Sequence, residues 1–211
     1  MSQPNIRPSR YPSRGSEDQA LIYAIIDEGL FCTIAFNRDG VPHQIPTGFC
    51  RIGSDLYIHA SSKSGFMDAI IGQHISFSIT HMDALVLAPT AFDHSFNYRS
   101  VVGFATAEEI ADPEEKKQLF CQFTDKYIPG RIADIGEPTA DQIKITKCVK
   151  LSLSHAGAKV RNGDVNEKMD PSMPWCGVIP VEVGYGTPEV DSQLSGKTTP
   201  DYIKQLANGL G

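Results

Sequence analysis

The sequence predicts a mainly β protein with peripheral helices, an antiparallel barrel of six to seven strands, and three observations carry that expectation. Short apolar or alternating runs recur between clusters of turn residues, as strands do. Only a few stretches carry helical spacing, and they interrupt the runs instead of alternating with them in βαβ order. No GxGxxG follows a strand and no Walker loop is present, so the usual dinucleotide and triphosphate motifs give no support to a parallel fold.

Taken in order, residues 1–15 hold three arginines and four prolines or glycines without an apolar centre, and read as a flexible arm rather than a secretory signal. Residues 16–29 open on Ser16, Glu17 and Asp18 and continue with Ala20, Leu21, Ala24 and Ile25, a capped amphipathic helix with acid at its N-terminus. The period then changes. Residues 31–36 are a short apolar run, Asn37-Arg38-Asp39-Gly40 is a turn and residues 41–52 are a second extended stretch, so a hairpin is expected. A further turn at 53–55 leads to a strand at 56–60, giving three strands in meander order. Phe66, Met67, Ile70 and Ile71 then recur at helical spacing, and residues 75–80, 84–88 and 99–110 restore extended structure. Residues 113–127 form a helix by their Asp112-Pro113-Glu114-Glu115 start and by Leu119, Phe120, Phe123 and Tyr127 on one face. A linker over 130–138 precedes a strand at 144–154, and residues 175–183 read as the last one. The domain is thus expected over 16–183. The polar, Gly/Thr/Pro-rich segment 184–211, with a weak helix at 201–207, reads as an arm or interface element.

Net charge is −6 with a pI near 5.5, which argues against a nucleic-acid binder relying on a basic face. No apolar run approaches the ~20 residues of a membrane span. The five cysteines (Cys32, Cys50, Cys121, Cys148, Cys176) are odd in number, widely spaced and free of CxxC pairs, which suits free thiols in a reducing, cytoplasmic setting. The histidines lack the i, i+4 spacing of a zinc helix, and no metal site is expected.

Three clusters could carry chemistry. At His59-Ala60-Ser61-Ser62-Lys63-Ser64-Gly65 a strand gives way to a helix, and three hydroxyls, an ammonium and free amides are the parts of a phosphate cradle. The plainer alternative is a Ser-capped helix with a solvated lysine. At Asn97-Tyr98-Arg99-Ser100 a guanidinium enters a strand and needs an anion, either a ligand or a glutamate of the chain itself. Lys159 and Arg161 alternate on an extended segment, which puts both on one face, where they close over an anion or stay solvated. Asp93-His94-Ser95 is no triad, because sequence neighbours rarely face one another and no GxSxG elbow is present. Trp175 reads most simply as a packing anchor.

In order along residues 11–183, these segments resemble the flavin-nucleotide-binding proteins of the pyridoxamine 5'-phosphate oxidase-like superfamily, in the branch that includes nitroimidazole-resistance proteins. The resemblance lies in Leu85-Val86-Leu87-Ala88-Pro89 followed by His94-Ser95-Phe96-Asn97-Tyr98-Arg99-Ser100-Val101-Val102. Asp112-Pro113-Glu114-Glu115-Lys116, Ile128-Pro129-Gly130-Arg131, Ala158-Lys159-Val160-Arg161 and Trp175-Cys176-Gly177-Val178-Ile179-Pro180 extend it. It implies an FMN-binding split β-barrel, a homodimer with FMN in clefts between subunits. It places the phosphate at Ser61, Ser62, Lys63 and Ser64, and the second strand, His43, Gln44, Ile45, Pro46 and Thr47, beside the flavin ring. Asn97, Tyr98, Arg99, Ser100, Lys159, Arg161 and Trp175 complete the implied cofactor residues, and His59 matches an active-site histidine. One departure stands out: relatives commonly carry an arginine about where Gly65 stands, and this chain offers Lys63 two residues earlier.

The activity implied is an FMN-dependent oxidoreductase that reduces a small organic substrate, nitroaromatics among the candidates, with NADH or NADPH as donor. A flavin carries such redox chemistry while the protein supplies position and access, so no catalytic triad is required. A non-catalytic flavin or heme carrier or sensor on the same barrel is the alternative, since a fold does not fix a function. Pyridoxamine 5'-phosphate oxidase activity is the third, because that enzyme's C-terminal arginine pattern is not evident in the tail.

Overall fold

Two antiparallel sheets and a shared apolar core organise the chain, whose computed structural model describes residues 4–165 and 170–209. Residues 1–3 of the expected arm and 210–211 of the expected tail lie outside that description. Helix α1 (Gln19–Glu28) follows a two-residue strand β1 (Gly15–Ser16) and is capped by Asp18, whose carboxylate accepts the Ala20 N–H. It buries Ile22, Ile25 and Ile26 on one face. Strands β2 (Cys32–Arg38) and β3 (Val41–Thr47) form the expected hairpin, with Arg38 paired to Val41. The two turn residues between them, Asp39 and Gly40, have φ of 54° and 81°, as a type I′ turn requires.

The predicted run 41–52 is not one strand. It breaks at Gly48 and Phe49, after which β4 (Cys50–Ile52) pairs with β5 (Asp55–Ser61) in the other sheet, so the expected three-strand meander is instead two hairpins in two sheets. The break is held from a distance. Phe49 N–H donates to the Tyr127 hydroxyl at 2.8 Å, and that hydroxyl lies 2.7 Å from Leu30 O and 2.9 Å from Phe49 O. Satisfying these groups off the ladder is what lets a buried backbone leave one sheet for another.

Helix α2 (Gly65–Ile70) follows β5, and the runs 75–80 and 84–88 prove to be one strand, β6 (His74–Leu87), bulged between Met82 and Ala84. Strand β7 (Ser95–Thr106) pairs with β6 along its length, and β8 (Glu108–Ile110) crosses to the second sheet. Helix α3 (Pro113–Tyr127) has the predicted limits, set by Asp112 as N-cap and Pro113 in the first turn. The expected linker contains one short helix, α4 (Arg131–Ile135), and a second, α5 (Ala140–Lys144), follows it, closed by a Thr139/Gln142 capping box. Strands β9 (Thr146–Ser152), β10 (Ala156–Arg161) and β11 (Gly177–Pro180) and helix α6 (Asp201–Ala207) complete the order.

The larger sheet runs β1-β10-β7-β6-β2-β3 with β11 on β6, and the smaller runs β4-β5-β9-β8, an unclosed, split barrel. Among the described residues there are eleven strands against the six or seven expected, β1, β4 and β8 being pieces of two or three residues. Register assigns the faces. Ile45, Ile34, Phe77, Gly103 and Ala156 lie side by side on the core face. There a Cβ on Gly103 would fall 2.2 Å from the Phe77 ring. One residue along each strand, Pro46, Thr33, Ser78, Val102 and Gly157 make the corresponding row on the outer face. Leu56, Ile58, Val149 and Leu151 of the smaller sheet close the core from the other side. The reverse face of that sheet packs under α3 through Cys50, Cys148, Ile110 and Leu119.

Residues 4–16 lie along the larger sheet. His155 Nε2 is 2.7 Å from Pro4 O, and Ile6 packs where Gly157 leaves room, its O 3.2 Å from a Cβ placed there. Among the described residues no helix is long and apolar enough to cross a membrane. All five cysteines are free thiols.

The knot at Phe49 gives a stability test. Tyr127→Phe removes the acceptor of a buried N–H, for which the expected cost is about 1–3 kcal/mol. Urea unfolding at neutral pH measures it; a midpoint equal to the wild type would show that the crossing does not depend on this hydroxyl.

Candidate functional site

The hairpin β2–β3 and the turn before α2 meet at one end of the barrel. His43 stacks on Phe36 with ring centroids 5.4 Å apart, and Phe36 meets Phe66 of α2 at 5.7 Å. Phe36 therefore links the predicted segment 43–47 to α2, the helix that follows the 61–64 turn. Within the first, the period-2 rule separates the side chains. Ile45 pairs with Ile34 on the core face, whereas Gln44 and Pro46 face outward beside Ala35 and Thr33. Thr47 ends the strand half-buried, its hydroxyl 3.3 Å from Gly48 O.

The turn at 61–64 is partly spent on itself. Ser62 N–H donates to Ile145 O at 2.7 Å, Ser64 N–H to Ser61 O at 2.8 Å, and Lys63 N–H to the Ser61 hydroxyl at 3.3 Å. Ser64 is the N-cap residue of α2 but makes no side-chain cap bond. Among the described residues, the Ser62 and Ser64 hydroxyls and the Lys63 ammonium have no hydrogen-bond partner. Those three groups are the ones an anion would need.

A residue that sequence reading missed stands beside them. Arg38, the last of β2, brings Nη1 to 3.9 Å from where a Cβ on Gly65 would lie. Nothing local signals this approach, because it depends on the hairpin tip reaching a turn 27 positions further on.

His59 lies elsewhere. Along β5 the side chains alternate, so Leu56 and Ile58 enter the main core and His59 points under α3. There its ring sits 4.7 Å from Phe120 and 4.3 Å from Phe123. Burial holds its pKa below the usual histidine value. Close by, burial holds Lys126 down at about 8; its ammonium lies 3.9 Å from the Phe49 ring centroid and donates to Ile26 O and Asp27 O.

The third group occupies β7 and β10. Arg99 donates to Asp83 at 2.8 Å and also to Glu28, the carboxylate pairing that was the alternative to a ligand role. The bulge in β6 is what presents Asp83 to it. Lys159 and Arg161 stand on one side of β10, as expected, but Arg161 is buried and donates to Asn97 Oδ1, Gly163 O and Asp164 O, so its charge is not open to solvent. Lys159 stays half-exposed with Nζ 5.9 Å from the Tyr98 ring, and its carbonyl accepts from Ser100 Oγ at 3.3 Å. Trp175 is 68% exposed and rests against Gly177 rather than anchoring a core.

In strand order β7 is three places from β3, about 14 Å at the usual spacing of ~4.8 Å. One chain thus brings together His43, Phe36, Arg38 and the 61–64 turn, and holds Tyr98, Ser100 and Lys159 apart from them on the larger sheet. A cleft of about 400 Å³ under the arm, lined by Ile6, Arg7, Pro8 and Glu17 among others, belongs to neither group.

Fold and site together define a split-barrel protein of the flavin-binding class. The sequence profile of the pyridoxamine 5'-phosphate oxidase family matches residues 18–160, and the chain belongs to that family. No curated protein sequence matches it. Among solved structures it is similar to the flavocytochrome Anf3 from Azotobacter vinelandii, with 31% identity, a TM-score of 0.87 and 95% of each chain covered. It is also similar to an FAD- and heme-binding protein from Mycobacterium smegmatis, with 29% identity and a TM-score of 0.86, covering 92% of this chain and 97% of that one. A putative 5-nitroimidazole antibiotic resistance protein from Bacteroides thetaiotaomicron shares the fold at 20% identity and a TM-score of 0.57, covering 80% of this chain and 90% of that one.

The setting of His59 has a pH consequence. Its folded pKa is depressed, so below about 6.5 the unfolded chain takes up a proton that the folded chain does not, and stability falls as pH drops. His59→Leu removes that contribution. Urea midpoints compared at pH 7.5 and pH 5 are expected to fall less in the variant; an unchanged slope would mean that His59 titrates as freely when folded as when unfolded.

Proposed function

We propose that this protein is a flavin- and heme-binding redox protein of the flavocytochrome type, a cytoplasmic homodimer that takes electrons from a reduced nicotinamide. The observation that carries this reading is the extent of the likeness to the Azotobacter vinelandii flavocytochrome. At 95% coverage it takes in most of the arm and tail, which lie outside the family profile at 18–160. The Mycobacterium smegmatis protein, named for FAD and heme, is similar over nearly the same span.

The residues suit a flavin nucleotide. Lys63, Ser62 and Ser64 offer an ammonium and two hydroxyls at the 61–64 turn, and Gln44 and Pro46 of β3 would flank the ring. When bound, a flavin supplies hydride acceptance and single-electron release, which no amino-acid side chain provides. The outer face of the larger sheet, where Thr33, Ala35, Ser76 and Ser78 are small, leaves room for a planar group or a second copy. FMN was the form expected from sequence. FAD shares its ring and first phosphate, and we favour FAD because the Mycobacterium smegmatis protein is named for it.

For heme, an imidazole with an uncommitted ring nitrogen is the simplest ligand. His81, His94 and His155 each set one ring nitrogen against the backbone, at Ile25 O, Ala88 N and Pro4 O, and keep the other. His43 and His74 are exposed, and among the described residues neither has a hydrogen-bond partner. They are the proposed candidates for an axial ligand. Nitroaromatic reduction has weaker support, because the resistance-protein likeness at 20% identity concerns the fold alone.

An absorbance spectrum of the untreated purified protein is expected to show flavin bands together with a Soret band, with FAD released on denaturation and identified by mass. Anaerobic NADH or NADPH should bleach the flavin. A colourless protein that takes up neither added flavin nor hemin would overturn the reading. With hemin loaded, His43→Ala or His74→Ala should shift the Soret maximum; wild-type spectra from both would remove these histidines as ligands.

A further inference from the structure

We propose that Arg38, at the tip of the β2–β3 hairpin, is the guanidinium that binds the flavin phosphate, acting across Gly65 together with Lys63. The inference rests on the flavin reading above and assigns the specificity of that site to a residue on a different element from the turn itself.

Four observations converge. The guanidinium stands beside the turn, with Nη1 3.9 Å from a Cβ placed on Gly65, within van der Waals reach of that position. The contact is an ordinary van der Waals one, and it sets the guanidinium next to the first residue of α2. Second, Arg38 is lightly held. Its one carboxylate neighbour among the described residues is Asp39 at 3.9 Å, and with side-chain exposures of 58% and 94% that pair contributes little. Arg51, Arg99, Arg131 and Arg161 are by contrast bound to Asp27, to Glu28 and Asp83, to Asp134, and to Asn97 with two carbonyls.

Third, the surrounding charge favours an anion. Asp68, the acid of α2, is paired with Lys147, and among the described residues Arg38 has Asp39 as its one carboxylate partner and Lys63 has none. A chain of net charge −6 thus keeps a small positive site at this barrel end. Fourth, the hairpin is not loosely placed. Arg38 pairs with Val41 across a two-residue turn, Asn37 Oδ1 accepts the Gly40 N–H at 2.8 Å, and Phe36 is wedged between His43 and Phe66. The guanidinium therefore stands on a braced element, with a planar fork suited to two phosphate oxygens where Lys63 supplies a point charge.

The consequence is selectivity for phosphorylated flavin. Fluorescence titration of the full-length, flavin-stripped protein with riboflavin, FMN and FAD reads it directly. Wild type is expected to bind FMN and FAD at least ten times more tightly than riboflavin. Arg38→Ala should weaken FMN and FAD about tenfold or more and leave riboflavin unchanged, Arg38→Lys should recover part of the loss, and Asp39→Ala should bind FMN as tightly as wild type or better. Equal FMN affinity in wild type and Arg38→Ala would overturn the assignment while the flavin reading stood. Equal loss for riboflavin and FMN would overturn it too, by showing that Arg38 supports the ring or the fold. Wild type that binds none of the three would remove the flavin reading itself.

Discussion

The buried crossing at Gly48 and Phe49 is the constraint on which the rest of the structure depends. A split barrel needs its chain to leave one sheet and enter another in the interior, where an unpaired backbone group costs about 1–3 kcal/mol. Here the cost is met from α3. Tyr127 takes the Phe49 N–H and shares its own proton between Leu30 O and Phe49 O, while Lys126 donates to the last carbonyls of α1 and covers the Phe49 ring. Glycine at 48 belongs to the same arrangement, since a Cβ there would lie 3.1 Å from the Phe123 ring and 3.3 Å from the Tyr127 hydroxyl. Burial pushes the Tyr127 phenol up to about 12, so it stays a neutral donor and acceptor throughout the physiological range.

The candidate site follows from that crossing. Because β3 ends at Thr47 and β4 starts the other sheet at Cys50, β3 is left as an edge strand with one neighbour, β2. Its outer side chains are therefore exposed, and its hairpin tip is free to lean toward the turn that follows β5. The two sheets thus contribute different parts to one end of the barrel. The larger supplies His43, Phe36 and Arg38, and the smaller, through β5, supplies the 61–64 turn. The Phe36 contacts with His43 and Phe66 are the apolar joint between them.

Legibility in the sequence tracked how local the deciding interaction is. Helix α3 was readable to its last residue because Asp112, Pro113 and the spacing of its aromatic face all act within the helix. The β2–β3 hairpin was readable from its turn. The split at 48–49 was not, because apolar and polar residues continue through it and the cause lies at Tyr127, 78 positions away. Arg99 illustrates the same limit. Its need for an anion was evident from its entry into a strand, but the choice of Asp83 and Glu28 depended on a bulge in β6 and on where α1 ends. The 61–64 turn could be named from its hydroxyls and ammonium, whereas Arg38 could not. The capping box of α5 was a local signal, Thr139 with Gln142, in a short stretch between the linker and the next strand that was assigned no element.

The larger sheet also divides its two faces by size. On the core face, Ile34, Phe77 and Ile45 interlock, and Gly103 is small because the Phe77 ring lies over it. The outer row of Pro46, Thr33, Ser78, Val102 and Gly157 has little volume to interlock with anything. A row of short side chains on a twisted sheet makes a smooth surface, and such a surface gains contact area only from a body that is itself smooth, such as a planar ring system, another sheet or an extended strand. The arm already uses one end of it in this way, with Ile6 laid against Gly157 and Pro4 bound to His155. The small residues that weaken this face as a core therefore leave it open to a flat partner, as the arm laid on its β10 end shows.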